Sequence, residues 1–195
     1  MNKNRMEAFS DGVIAILITI MVFDIKPPAG ADWKAFVTVL PVVLAYLMSF
    51  LYLGVYWNNH HHMLVLAPRI NGAVLWANLH LLFWLSLLPF TTSWLRSSGF
   101  QSVPTSLYGL VLLCAAIAYL ILQETLIRAE GPDSTLKQAI GIDLKGKASA
   151  LMFLLGIGTA FIRPWIAIVL YVSVSLLWII PDRRIETKFR PSGQE

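Results

Sequence analysis

The sequence predicts an all-α integral membrane protein with six transmembrane helices and both termini in the cytoplasm. Of the 195 residues, 57% are hydrophobic and only 13% are charged, whereas an ordinary soluble domain carries about 25% charged residues. The hydrophobic residues form long runs without a polar face, and lipid can cover such runs where water cannot. Basic residues lie between the runs, and most of them fall in loops that would lie on the same side of the membrane. A single transmembrane domain spanning residues 1–195 is therefore expected.

Six apolar runs have about the length of 20 residues that a helix needs to cross a bilayer core. The predicted helices are approximately 9–25, 36–57, 73–95, 107–127, 148–162 and 165–180. Only Arg163-Pro164 separates the last two, and proline restricts the residue before it, which is typical of a hairpin turn. The polar stretch 182–195 is predicted to be a cytoplasmic tail.

The basic residues in alternate loops predict the orientation. One set of loops carries eleven of them: Lys3, Arg5, Arg69, Arg128, Lys137, Lys145, Lys147, Arg183, Arg184, Lys188 and Arg190. The other set carries four: Lys26, Lys34, Arg96 and Arg163. The positive-inside rule assigns the richer set, with both termini, to the cytoplasm. An even number of transmembrane helices likewise requires both termini to lie on the same side of the membrane.

Charge and motifs exclude several classes of function. A net charge of +4 could indicate nucleic acid in a soluble protein. Here the basic residues mark loops and form no stripe with interleaved aromatic rings, so no nucleic-acid partner is expected. The chain has no zinc-protease, nucleophile-elbow or Walker motif, and it has one cysteine, Cys114. We therefore expect no enzyme, no metal site and no cofactor.

Three consecutive histidines, His60, His61 and His62, suggest metal binding at first sight. Neighbouring residues on a helix point about 100° apart and cannot converge on one ion. We interpret them as polar interfacial residues at the cytoplasmic end of the second helix, with pH sensing as an alternative.

The first helix carries the most informative residues. Asp11 lies at the membrane boundary, where an acid either caps the helix or finds a polar partner. One face of the helix is formed by Phe9, Gly12, Ile16, Thr19, Ile20 and Phe23. Such a stripe can pack against another helix or line a pore, and Thr19 would offer an oxygen to an ion. On the third helix, Asn78 and His80 are polar at membrane depth and are expected to bond other helices or the Ser10–Asp11 region.

These residues form a recognisable signature. Its pattern reads Arg5-x-x-x-Phe9-Ser10-Asp11-Gly12-Val13-x-Ala15-Ile16-x-x-Thr19. It resembles the first-helix signature of the transmembrane protein 175 family, the bacterial and lysosomal potassium channels. The resemblance is specific over about fifteen residues, and the chain length and helix number agree with it.

The resemblance implies a homotetramer in the cell membrane, in which four copies of the first helix line a central pore for monovalent cations. The narrowest point falls on Ile16, further constrictions on Ile20 and Phe23, and an ion-preference role on Thr19. A polar network near the cytoplasmic mouth would be formed by Arg5, Phe9, Ser10 and Asp11, with His60, Asn78 and His80 as possible partners. Phe23 is bulkier than the aliphatic residue expected at that position.

Two functions compete with a potassium channel of modest selectivity. A secondary transporter or a proton-conducting pathway could use Asp11 and the intramembrane histidines. The first helix lacks the break in mid-membrane that is common in transporters, which favours the channel. A subunit without transport activity is the other alternative, and it would tolerate a polar residue in place of Ile16. The sequence has no Thr-Val-Gly-Tyr-Gly filter, so weak preference for potassium over sodium is expected.

Overall fold

The computed structural model describes residues 3–67, 69–132, 134–140 and 143–179. Within these ranges the chain is all-helical, which confirms the predicted all-α class. The helices, in chain order, are α1 (Lys3–Phe23), α2 (Trp33–Leu66), α3 (Gly72–Ser86), α4 (Leu88–Ser97), α5 (Ser102–Glu130), α6 (Thr135–Ile140), α7 (Leu144–Thr159) and α8 (Pro164–Ile179). The predicted tail, 182–195, lies outside the described residues.

Four helical segments are long and apolar enough to cross a membrane, judged by length and composition within the described residues. They are Lys3–Phe23, Trp33–Leu66, Gly72–Ser97 and Ser102–Glu130. The last two helices, α7 and α8, have 16 residues each, which corresponds to about 24 Å. Together the helices define a membrane protein.

The second helix extends well beyond its predicted end at residue 57. Asp32 caps its N-terminus, because a side-chain oxygen accepts a hydrogen bond from the Ala35 amide at 2.8 Å. Its 34 residues correspond to about 51 Å, which exceeds a bilayer core of about 30 Å. Hydropathy located the apolar part of this helix, and the polar residues that continue the helix fell outside the prediction.

The third predicted helix is interrupted at Leu87, which separates α3 from α4. Pro89 follows the break, and proline has no amide hydrogen to donate to the preceding turn. The Leu87 amide bonds the Trp84 carbonyl at 3.2 Å in a tighter turn. Arg96 lies in the last turn of α4, and Gly99 ends this region with a positive φ of 66°, a conformation that glycine adopts without strain.

Tyr171 of α8 occupies the centre of the packing between α5, α7 and α8. Its ring is fully buried, and a Cβ atom at Gly109 or Gly156 would overlap it. The Tyr52 hydroxyl of α2 donates to the Tyr171 carbonyl at 2.6 Å. The two glycines therefore permit a close approach that attaches the α7–α8 hairpin to the rest of the bundle.

Buried hydroxyl groups connect α2, α4 and α5. Ser49 Oγ lies 2.7 Å from Thr92 Oγ1 and 3.0 Å from the Tyr108 hydroxyl. Polar groups away from water are costly unless they are hydrogen-bonded, and these three satisfy one another. This cluster forms part of the scaffold against which α1 packs, since α1 contacts α2, α3 and α4.

Candidate functional site

The two faces of α1 have opposite environments. One face is buried against α2, α3 and α4 and consists of Met6, Ser10, Ile14, Leu17 and Met21. These residues follow one another at steps of three or four, as one face of a helix requires. The opposite face is largely exposed, although it is apolar. One side of α1 therefore attaches the helix to its own subunit, and the other is available to lipid, to a pore or to another copy.

The free face, which we call the exposed stripe, contains the residues that the sequence predicted to share a side. Phe9 is 54% exposed, Ile16 57%, Ile20 51% and Phe23 86%. Gly12 and Thr19 are also exposed and lie between them. Large apolar side chains on a contiguous face usually mark an interaction surface or a lipid-facing one.

Thr19 is the one hydroxyl on the exposed stripe. Its Oγ1 donates a hydrogen bond to the Ile16 carbonyl at 2.9 Å. This bond uses the hydroxyl proton and leaves the oxygen lone pairs unused by it. The oxygen can therefore accept from water or coordinate a cation.

A buried set of hydrogen bonds joins the N-terminal half of α1 to α2 and α3. We call it the N-terminal network, and it consists of Ser10, Asn78 and His60. The Asn78 side-chain nitrogen donates to Ser10 Oγ at 2.9 Å, and Ser10 Oγ donates to the Met6 carbonyl at 2.9 Å. The His60 Nε2 lies 2.7 Å from Asn78 Oδ1. All three side chains are about 1% exposed or less.

The network determines that the Nε2 atom of His60 carries a proton. Because the amide nitrogen of Asn78 is used as a donor, Asn78 Oδ1 must accept, and His60 Nε2 therefore carries the proton. The other ring nitrogen, Nδ1, is buried and has no hydrogen-bond partner among the described residues. The interpretation of all three histidines as polar interfacial residues is wrong for His60, which is a buried structural contact between helices.

Asp11 has a different partner. The indole nitrogen of Trp57 on α2 donates to Asp11 Oδ1 at 2.9 Å. One turn before Asp11, Glu7 Oε1 lies 3.2 Å from His61 Nδ1, and the His61 ring stacks on Trp57. These half-exposed contacts extend the attachment of α1 to α2 around the buried network.

Arg5, Phe9 and His80 were also predicted to belong to the network, and they lie apart from it; Phe9 belongs to the exposed stripe. Arg5 is exposed on α1, and within the described residues no side-chain hydrogen bond joins it to Ser10 or Asp11. His80 is exposed, and its Nε2 accepts from the Trp84 indole at 2.9 Å on the same helix. Within the described chain, His80 therefore bonds its own helix and not the Ser10–Asp11 region, because its position on α3 points it away from α1.

The opposite end of α1 is held by an ion pair that the sequence did not predict. Asp24 follows the last residue of α1, and Arg96 of α4 donates a hydrogen bond to its Oδ2. We call Asp24 and Arg96 the C-terminal ion pair. In the sequence, Asp24 and Arg96 are each recognisable as a single charged residue next to an apolar run. Their pairing across 72 positions depends on helix packing, which hydropathy does not report.

Within the part of the chain that the structure describes, no group of three or more His, Cys, Asp or Glu side chains could hold a metal ion. The consecutive histidines diverge, since His60 bonds Asn78 and His61 meets Glu7.

These features define a class of protein: a helical membrane protein whose first helix is attached to its subunit by polar contacts and presents a free apolar face. Comparison with known proteins identifies it further. The model of the family described as endosomal/lysosomal potassium channel TMEM175 matches residues 5–89. That range covers the exposed stripe, the N-terminal network and the start of α4.

Relatives extend this similarity to the whole chain. A potassium channel of Chryseobacterium sp. (strain P1-3) is 51% identical over 190 residues, which cover 97% of this chain and 99% of that protein. A potassium channel of Streptomyces collinus is 37% identical over 128 residues, covering 61% of this chain and 62% of that protein. The chain belongs to the TMEM175 family.

A solved structure agrees with the fold. The crystal structure of a lysosomal potassium-selective channel TMEM175 homolog from Chamaesiphon minutus matches with a TM-score of 0.75 at 28% sequence identity. The match covers 93% of this chain and 97% of that one. The helix arrangement described above is therefore that of a channel family whose named members are not enzymes.

Proposed function

We propose that this chain is the subunit of a homotetrameric, potassium-permeable cation channel in the cell membrane, weakly selective for potassium over sodium. Four copies of α1 surround the pore, with their exposed stripes facing the axis. Six helices cross the membrane, α7 and α8 forming the fifth and sixth, and both termini are cytoplasmic because eleven of the fifteen basic residues lie on that side.

The observation that carries this proposal is the contrast between the two faces of α1. A helix at the edge of a bundle, facing only lipid, has no need of several polar attachments to its neighbours. In α1, Ser10, Asp11 and the following Asp24 each bond another helix, while the opposite face remains free. Such attachments suit a helix whose free face must be held at a defined position.

A ring of Ile16 side chains would act as the gate. Four isoleucines at one level leave a bore without polar groups, and an ion that enters it loses hydration that no side chain replaces. A narrow ring therefore excludes water and ions, and conduction requires a wider, wetted ring. Ile20 and Phe23, about one and two turns further along, form the next constrictions.

Selectivity in this design is modest. Without a ring of backbone carbonyls, discrimination comes from the bore and from the cost of partial dehydration. Thr19 is the residue of the stripe whose oxygen can coordinate a dehydrating cation, since its proton is used by the Ile16 carbonyl. We assign the preference for potassium to this hydroxyl, one turn from the gate.

A proton-conducting pathway is the second candidate. It is favoured by the Nδ1 atom of buried His60, which has no hydrogen-bond partner in the part of the chain that the structure describes. The hydrogen bonds that lead from His60 pass through an amide, Asn78, and end at the Met6 carbonyl. Neither group relays protons readily, so this chain of bonds suits attachment better than transport. A pH difference at equal potassium separates the candidates, because it shifts the reversal potential only if protons permeate.

The first experiment measures the reversal potential of the purified protein in planar bilayers with potassium on one side and sodium on the other. Replacement of Thr19 by Val is expected to bring the reversal potential closer to zero. Ile16→Asn is expected to increase the current about tenfold or more, because a polar ring wets the constriction. A correctly assembled Ile16→Asn variant with unchanged current would contradict the pore assignment.

The matched control is Ile121→Asn on α5. Ile121 is an exposed isoleucine like Ile16, 43% against 57%, but it belongs to a helix outside the proposed pore lining. Its replacement by asparagine is expected to leave the current and the reversal potential unchanged. An equal increase for both variants would indicate a general leak of the destabilised protein.

A further inference from the structure

We propose that the C-terminal ion pair, Asp24 with Arg96, positions the outer end of the pore helix and so sets the width of the outer constriction. This inference rests on the proposed function, in which the exposed stripe of α1 lines the pore and Phe23 lies at its outer end. Asp24 and Arg96 are positioning residues: they touch no permeating ion in this scheme and act through Phe23 and Ile20.

The pair joins two helices at one corner of the bundle. Arg96 lies in the last turn of α4 and donates both to Asp24 Oδ2 and to Ser93 Oγ, the latter at 3.2 Å. Its side chain is 22% exposed and that of Asp24 is 45% exposed. A small cavity lined by Met21, Tyr46 and Pro89 adjoins both side chains. The Arg96 side chain is therefore held by α4 and is largely buried where it extends to the end of α1.

Helix dipoles explain why Asp24 needs this partner. The C-terminus of a helix carries partial negative charge, so an acid there is unfavourable and a base is favourable. Asp24 directly follows the last residue of α1, whereas Arg96 lies in the last turn of α4. Without Arg96, the carboxylate would be repelled by the free carbonyl groups of its own helix. The pair thus stabilises an arrangement in which the end of α1 stays next to α4.

A displacement of Asp24 also displaces the proposed constriction at Phe23. Phe23 is the preceding residue, and consecutive Cα atoms are held about 3.8 Å apart. Phe23 is 86% exposed, so no packing within the subunit fixes its side chain. Besides the pair, Thr92 Oγ1 of α4 donates a weak hydrogen bond to the Met21 sulfur at 4.0 Å, and the Met21 side chain is buried in the core. Loss of the pair therefore loosens the part of the outer turn that follows Met21.

Distances between spin labels test the inference and need no measurement of ionic current. Spin labels at Phe23→Cys and Ile162→Cys, in a Cys114→Ser background, report the distance from the end of α1 to the α7–α8 turn. Labelled chains are mixed with an excess of cysteine-free subunits, so that only labels of one chain interact. Asp24→Asn and Arg96→Gln are each expected to shift or broaden the distance distribution. The exchange of the two residues, Asp24→Arg with Arg96→Asp, is expected to restore it.

Currents separate a positioning role from a simple effect of charge. Both single variants break the pair, so both are expected to change the open probability in the same direction, by up to about fivefold for an exposed ion pair. A purely electrostatic role predicts the opposite pattern, because Arg96→Gln leaves uncompensated negative charge and Asp24→Asn leaves positive charge. Unitary conductance would then change in opposite directions while the open probability stays constant, and this result would overturn the inference.

Lys26→Gln is the matched control, because it removes an exposed charge two residues from Asp24 and leaves the pair intact. It is expected to behave as the unmodified chain in both measurements. Unchanged label distances in both Asp24→Asn and Arg96→Gln would also overturn the inference. Absence of current from the unmodified, assembled protein would instead contradict the proposed function, and the label distances would still decide the role of the pair.

Discussion

The N-terminal half of α1 is attached by buried neutral hydrogen bonds, and its C-terminal end is attached by a half-exposed ion pair. Ser10, Asn78 and His60 are almost fully buried, whereas the Asp24 side chain is 45% exposed. A buried polar group that loses its partner costs the full desolvation penalty, while an exposed ion pair contributes little and is screened by salt. The first attachment is therefore rigid and the second can open.

This difference locates motion along the helix. If α1 lines a pore, its inner part stays in place, and movement is concentrated near Ile20 and Phe23. The exposed stripe is continuous from Phe9 to Phe23, but its two ends then have different mechanical roles. The following substitutions compare single contacts that attach α1 to its neighbours, each with its expected effect on stability.

The largest effect on stability is expected for Asn78→Ala. This substitution leaves the His60 Nε2–H without its acceptor, at about 1–3 kcal/mol for a buried unpaired group. It also removes one of the two hydrogen bonds of Ser10, which keeps its bond to the Met6 carbonyl. We expect a loss of roughly 2–4 kcal/mol in the free energy of unfolding. The measurement is the unfolding midpoint of the detergent-solubilised protein, followed by tryptophan fluorescence.

Asn71→Ala is the matched control on the same helix. Asn71 is an exposed N-cap whose Oδ1 accepts from the Val74 amide at 3.0 Å, and loss of such a cap costs about 1 kcal/mol. If both variants unfolded at the same midpoint, the N-terminal network would not be the rigid attachment described above.

A smaller effect is expected for Trp57→Phe. The change removes the indole donor of Asp11 and keeps an aromatic ring next to His61. Because Trp57 is itself 45% exposed, water can replace the lost bond, and we expect a loss of about 1 kcal/mol. Trp76→Phe, at a more exposed tryptophan of α3, is the control with no expected change in midpoint. A loss as large as that of Asn78→Ala would mean that Asp11 belongs to the rigid attachment.

Much of the fold follows from hydropathy, because a membrane helix must bury its backbone hydrogen bonds and cover them with apolar side chains. The predicted first and last residues of the helices were less accurate. The first helix starts at Lys3 and α2 continues to Leu66, since helices extend beyond the apolar core and polar residues do not end them. The interruption at Leu87 had a signal in Pro89, which a count of apolar residues overlooks.

The candidate site was predictable to the extent that helical periodicity determines it. Steps of three and four from Ile16 gave the exposed stripe, and the same periodicity on the opposite side gives the buried face with Ser10. Pairings between helices were not predictable in this way. Trp57 meets Asp11 across 46 positions and Arg96 meets Asp24 across 72, and such contacts follow from how helices pack and not from any local pattern.

The smallest effect on stability, and the sharpest contrast, is expected for Asp24→Asn at different salt concentrations. At low salt the variant should lose less than about 1 kcal/mol in the free energy of unfolding, because its partner is only partly buried. At 1 M salt the screening length falls to about 3 Å, so the difference from the unmodified chain should nearly vanish. The loss caused by Asn78→Ala involves neutral groups and should stay constant over the same range. A salt-independent loss for Asp24→Asn would show that the C-terminal end of α1 is held as rigidly as its N-terminal half, and motion would then have to involve the whole helix.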